Sequence, residues 1–129
     1  MKKKIVGLSL GIVVVFAFTA CDFGKSFDSA LLIGKWSRIS PYATAETQGK
    51  EFYRYDHGGT GATWDTAEDV SEYEAQTFSW TLEKEFLTLV HDMKISESKV
   101  TKSYTVTVLD DNTLTYKDDW GKSFTFKKE

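Results

Sequence analysis

Four carboxylates gathered in one short stretch, Glu68, Asp69, Glu72 and Glu74, are the residues whose type and spacing most invite a reaction. Two carboxyl groups facing each other across a cleft can hydrolyse a glycosidic bond. The stretch reads with fewer assumptions as a solvated acidic loop, and we adopt that reading. His57 and His91, the two histidines of the chain, stand far apart with no partner histidine at metal-type spacing, so neither starts a zinc site. Asp110-Asp111-Asn112 and Asp118-Asp119 offer oxygen donors. No further ligands follow them at calcium-loop spacing, and turns use these same residues. Gly58-Gly59-Thr60-Gly61 runs into strand-like residues, whereas a phosphate loop needs a helix N-terminus to follow; glycine-rich turn chemistry makes it a hairpin. With no nucleophile motif either, the chain is expected to be no enzyme and to hold no metal or cofactor.

The remaining reactive side chain is Cys21, the only cysteine. Lys2, Lys3 and Lys4 precede an apolar run from Ile5 to Ala20, shorter than the ~20 residues of a spanning helix, which is the layout of a secretory signal peptide. Phe18-Thr19-Ala20-Cys21 resembles the lipobox of bacterial lipoproteins: a bulky apolar residue, two small ones, then the cysteine that is acylated and becomes the first residue. Here Phe stands where Leu is usual. The resemblance implies a signal peptide over residues 1–20, a lipidated tether over 21–28 and a folded domain over 29–129. Two or more acyl chains hold a membrane stably, so the expected partner is a membrane and the expected location the cell envelope. Loss of the three leader lysines makes the net charge more negative than the −3 of the whole chain, which argues against nucleic acid as a partner.

The elements that must position any site are strands. Gly34–Ile39 is expected to be the first, ending at Ser40-Pro41, with a loop over Tyr42–Gly49. Lys50–Asp56 follows, then the glycine turn, Ala62–Asp65, and an acidic connection. Phe78, Trp80 and Leu82 alternate with Thr77, Ser79 and Thr81, the period-two signature of a half-buried antiparallel strand. Phe86–His91 comes next. Tyr104, Val106 and Val108, then Leu114 and Tyr116, then Phe124 and Phe126 continue the pattern, separated by turn residues. Eight such strands form an antiparallel up-and-down meander, the number at which a barrel closes around packed side chains or one small ligand. Closure also removes sheet edges. Ahead of them, Ser29–Ile33 reads as one helical or 3₁₀ turn capped by Asp28 or Ser29. Gly34 then lets the backbone swing into the strand, and the Trp36 indole plugs that end.

Leu32-Ile33-Gly34-Lys35-Trp36, Tyr53-Arg54-Tyr55-Asp56 with the turn through Gly61, Phe78-Ser79-Trp80-Thr81-Leu82 and Leu114-Thr115-Tyr116-Lys117-Asp118 span most of the mature chain. Together they resemble the lipocalin-like domains of small bacterial lipoproteins, within the wider calycin group. The resemblance implies an all-β barrel at the cell envelope, on the outer rather than the inner membrane, although Asp22 after the lipidated cysteine is an inner-membrane retention signal under the enteric sorting rule. The opening G-x-W of the family corresponds to Gly34 and Trp36. In larger lipocalins a basic side chain from the last strand covers that Trp. Here no arginine follows Arg54, which leaves Lys127 or Lys128.

Aromatic residues make up 15% of the chain, and only Phe16 and Phe18 of them fall in the leader. Surplus rings either fill the barrel or line a pocket for an apolar or amphipathic guest. Alternation makes Phe78, Trp80, Tyr104, Val106, Tyr116, Phe124 and Phe126 the inward candidates. Tyr53, Tyr55 and Trp64 flank the glycine turn and are candidates for the mouth. The expected function is small-ligand binding. The alternative is an accessory protein with a filled barrel that touches another envelope protein through Tyr42–Gly49 and Thr66–Glu74.

Overall fold

Period-two alternation in short segments that end on turn residues produces a ring of strands. A computed structural model describes residues 25–93 and 98–129. Cys21, the leader and the start of the tether lie outside the described residues. A 3₁₀ turn, Ser29–Leu31, comes first; the Asp28 carboxylate accepts from Ala30 N at 2.9 Å and caps it. The strands are β1 (Gly34–Ile39), β2 (Lys50–Asp56), β3 (Thr60–Asp65), β4 (Gln76–Glu83), β5 (Phe86–Asp92), β6 (Lys99–Leu109), β7 (Thr113–Lys117) and β8 (Ser123–Lys128). Each pairs antiparallel with the next, and β8 returns to β1 to close the barrel. Two further 3₁₀ turns, Thr66–Glu68 and Glu72–Glu74, lie between β3 and β4.

The ends of the barrel differ. Turns 57–59, 84–85 and 110–112 gather at one end with the N-terminal 3₁₀ turn. That end is closed. Leu32 and Trp36 are fully buried there, and the Trp36 Nε1–H donates to the Leu32 carbonyl at 2.9 Å. Lys128, which pairs with Trp36 across the β1–β8 seam, holds its Nζ 4.7 Å above the indole. Lys128 is thus the last-strand cation over the Trp. Above this stopper sit Tyr55, Trp80, Leu87, Leu89, Val106 and Leu114, all in the core. Each fully buried Leu or Val there contributes roughly 1.5–3 kcal/mol through area removed from water. The lower half of the barrel is therefore solid.

The glycine turn belongs to this closed end. Gly58 and Gly59 take φ of +88° and +83°, which places the tight β2–β3 connection in the region that glycine tolerates. Tyr55 is consequently part of the floor beneath the cup, in correction of its candidacy for the mouth.

Candidate functional site

Register decides which side chains reach the interior at the open end. Tyr53 faces inward and pairs with Trp36 and Thr63; Phe78 pairs with Gly61 and His91; Leu89 pairs with Lys102; Tyr116 pairs with Val106 and Phe124. Two steps along the strands from Trp36, Tyr53 and Val106, the same parity turns Arg38, Glu51 and Tyr104 into the barrel, and Lys102, opposite the inward Leu89, joins them. The result is a cup with two lobes, one of about 520 Å³ and one of about 500 Å³, both bordered by Tyr42, Glu51, Tyr53 and Lys102.

The floor is aromatic. Tyr53 meets Phe126 edge-on at 5.5 Å and Phe78 at 5.9 Å, and Tyr116 lies 5.5 Å from Phe126. Tyr104 packs 4.3 Å from Tyr116 and, with Phe124, forms the wall of the second lobe. Charge is laid over this floor. Arg38 Nε donates to Glu51 Oε1 at 2.6 Å, and the guanidinium rests 5.2 Å over Phe124 and 5.5 Å over Phe126. Such stacking holds a planar cation well. Lys102 has no ion-pair partner among the described residues. Burial, and next the Glu51 carboxylate, push the Tyr53 phenol well above its ordinary value; the same two causes act on Tyr104. Both hydroxyls stay protonated across the physiological range and can donate.

His91 lies beneath the first lobe, packed 5.4 Å from Phe78, with its Nε2 buried and without a partner. It stands one residue before the end of β5 and is turned into the barrel, buried. Burial, followed by repulsion from Lys102, lowers its pKa below the usual 6.5, and Asp92 opposes that in part. Between the lowered value and 6.5 the unfolded chain binds a proton that the folded chain refuses, so stability rises with pH in that window. His91→Phe should flatten the fall in urea midpoint between pH 7.5 and 5 while leaving stability at pH 7.5 undiminished, because an orphaned nitrogen is removed. Equal slopes for the two proteins would assign the acid sensitivity to other groups.

Two loops of the mouth are tied through one carboxylate. Asp65, buried at the end of β3, accepts from Ser40 Oγ at 2.6 Å and from Ala67 N at 2.8 Å, and Ser40 Oγ in turn accepts from Tyr42 N at 3.0 Å. Asp65→Ala should cost about 2–3 kcal/mol, from the lost bonds and the buried hydroxyl left behind. It should also speed proteolytic cutting within residues 66–75. An unchanged cutting rate would show that the loops hold without this tie. Across the mouth, Trp120 is 92% exposed on a turn fixed by Asp118 Oδ1, which accepts from Trp120 N and Lys122 N at 2.9 Å each.

The sequence candidates divide by depth. Tyr53, Tyr104, Tyr116 and Phe126 border the cup, and Phe78 and Trp80 are buried beneath it. Gly34 and Trp36 form the stopper. Trp64 borders the first lobe, but Phe52 and Trp64 pair on the parity opposite to Tyr53 and Thr63, and its ring stacks on Phe52 at 5.0 Å with the Lys35 ammonium 5.5 Å above it. The acidic connection is not loose either. Glu72 accepts from Lys35 Nζ at 3.1 Å and Arg54 Nη1 at 2.8 Å. Arg54 and then Lys35 hold its carboxyl below the ordinary range, the reverse of what a general acid requires. Among the described residues no group of three or more His, Cys, Asp or Glu is placed to hold a metal ion. Sequence reasoning missed Arg38, Glu51 and Lys102. Counting in twos from Trp36 and Tyr53 would have found the first two.

A closed eight-stranded antiparallel barrel, stoppered at one end by an indole and open at the other over an aromatic floor, defines the class. Residues 28–129 match the lipocalin-like family, and the chain belongs to it. Its fold is similar to that of a lipocalin-like protein from Bacteroides thetaiotaomicron, with a TM-score of 0.55 at 15% identity over 76% of this chain and 96% of that one. Among curated proteins, none matches the sequence.

Proposed function

We propose that this protein is a non-catalytic, lipid-anchored binder of one small amphipathic molecule, which it takes into the open cup. The observation that carries the reading is the cup itself: an aromatic floor of Tyr53, Tyr116 and Phe126 overlaid by the Arg38–Glu51 pair and by Lys102. A wholly apolar guest would strip water from these charges and offer no polar group in return, at a cost. A guest with a flat or aliphatic body and a polar end satisfies both layers. Lipocalin-like domains as a class bind ligands rather than transform them, which supports the absence of catalysis. The lipobox at Cys21 supports anchorage in the cell envelope, with the outer membrane favoured.

Tryptophan fluorescence tests the reading. Trp36, Trp64 and Trp80 are buried, whereas Trp120 is exposed beside the cup, so emission that changes on binding reports chiefly from Trp120. Fatty-acid-like and aromatic-acid probes should give a saturable shift that Trp120→Phe abolishes and Lys102→Ala weakens about tenfold. A flat response across such a panel would refute ligand binding. A second reading, an accessory protein that contacts another envelope protein, is favoured by the filled lower barrel and by Tyr73, exposed on the acidic connection. Crosslinking in whole cells that traps only the monomer would dismiss it.

A further inference from the structure

We infer that the cup is held off the bilayer that anchors the chain, and opens toward the aqueous phase, because the tether joins the barrel at its closed end. This rests on the lipid anchorage at Cys21 proposed above. Lys25 N donates to Glu85 Oε1 at 3.3 Å and Phe27 N to the Lys84 carbonyl at 3.1 Å, and Phe27 packs against the core. From Lys25 onward the chain therefore follows the β4–β5 turn, at the end opposite the cup.

Only Asp22, Phe23 and Gly24 separate Cys21 from Lys25. Those Cα-to-Cα steps reach about 14 Å at full extension. The wall of the barrel is longer: a strand such as Gln76–Glu83, rising ~3.4 Å per residue at a tilt near 40°, stands roughly 20 Å tall before its loops are added. To seat the mouth on lipid, the closed end would have to stand farther from the surface than the tether can follow.

Exposed apolar side chains occur at both ends, and the tether decides between them. Ile39, Tyr42 and Trp120 at the mouth would by composition suit a membrane interface, but they are out of reach. Phe86, 54% exposed, and Val108 lie on the outer wall at the closed end, on neighbouring strands beside the β4–β5 turn. These two meet the lipid interface. Tyr42 and Trp120 face water, so the guest arrives from solution or from a protein and does not slide in from the anchoring bilayer.

Because acylation occupies the only native thiol, a cysteine introduced into the full-length lipidated protein carries a single probe. Bimane is placed at Glu83→Cys, at the closed end, and separately at Asp119→Cys, at the mouth. Both proteins are reconstituted in phosphatidylcholine vesicles containing a nitroxide-labelled lipid. Quenching at position 83 should exceed quenching at position 119 at least threefold. Equal or greater quenching at 119 overturns the orientation and leaves anchorage standing. Flotation with vesicles tests anchorage separately: if the unsubstituted protein floats no better than Cys21→Ser, anchorage falls and the orientation falls with it.

Discussion

Replacing Trp36 by alanine is expected to remove about 3–5 kcal/mol of folding stability, the range for deleting a large buried aromatic. That is a large share of the ~5–15 kcal/mol that holds an ordinary domain together. Trp36 is fully buried, and its loss strands two groups besides opening a void. The Leu32 carbonyl loses the indole donor at 2.9 Å, and the Lys128 ammonium loses the ring face beneath it. Collapse around the void is restricted because the stopper is fastened on both sides, by β1 and by the 3₁₀ turn that Asp28 caps. Urea unfolding at pH 7.5 measures the effect, with Trp36→Phe as the graded control. The phenylalanine variant retains most of the apolar area and should lose about half as much. If Trp36→Ala cost less than 1 kcal/mol, the indole would be no keystone and the account of the closed end would fail.

A single methyl group at position 61 should cost nearly as much. Gly61 sits in β3 opposite Tyr55 and Phe78, where a Cβ would lie 2.3 Å from the Arg54 carbonyl oxygen and 2.7 Å from the Phe78 ring. The first obstacle is the backbone of a paired strand and cannot swing aside. The second is a core ring packed against Tyr53, Tyr55 and His91. Gly61→Ala is therefore expected to destabilise by about 3 kcal/mol through overpacking. Gly121 makes the contrast. Nothing lies within 4 Å of its Cβ position, and only its φ of +84° resists substitution, so Gly121→Ala should cost about 1 kcal/mol. Similar thermal midpoints for the two variants would show that conformational preference, not space, governs position 61.

Most of the ring was legible because nearly every strand alternates rings or aliphatics with threonine, serine or lysine. What failed to show did so for definite reasons. β6 begins at Lys99 rather than near Ser103, since Lys99–Lys102 mixes charge on both faces and carries little apolar rhythm. β3 begins at Thr60, inside the segment assigned to the turn, because Gly61 is needed there for closeness and not for bending. Trp64 shares its strand with inward Thr63, and only the pairing of Phe52 with Trp64 reveals which parity faces the core. The cup was harder still. Arg38, Glu51 and Lys102 are charged, and charge in a strand reads as solvent-facing until the register places it over a ring.

The seam between β1 and β8 rests on the pairs Trp36–Lys128 and Ser37–Lys127, reinforced beside it by Glu129, whose N–H donates to the Lys35 carbonyl and whose carboxylate accepts from Ser37. It joins segments from opposite ends of the domain. On the ribosome, then, the meander grows as an unsealed ribbon, and its first strand has no partner on one flank until Ser123–Lys128 has been synthesised. Contacts of such long sequence separation form slowly. A nascent chain that stays open so late keeps both flanks of the ribbon unsealed through nearly all of its synthesis, and only then snaps into a ring.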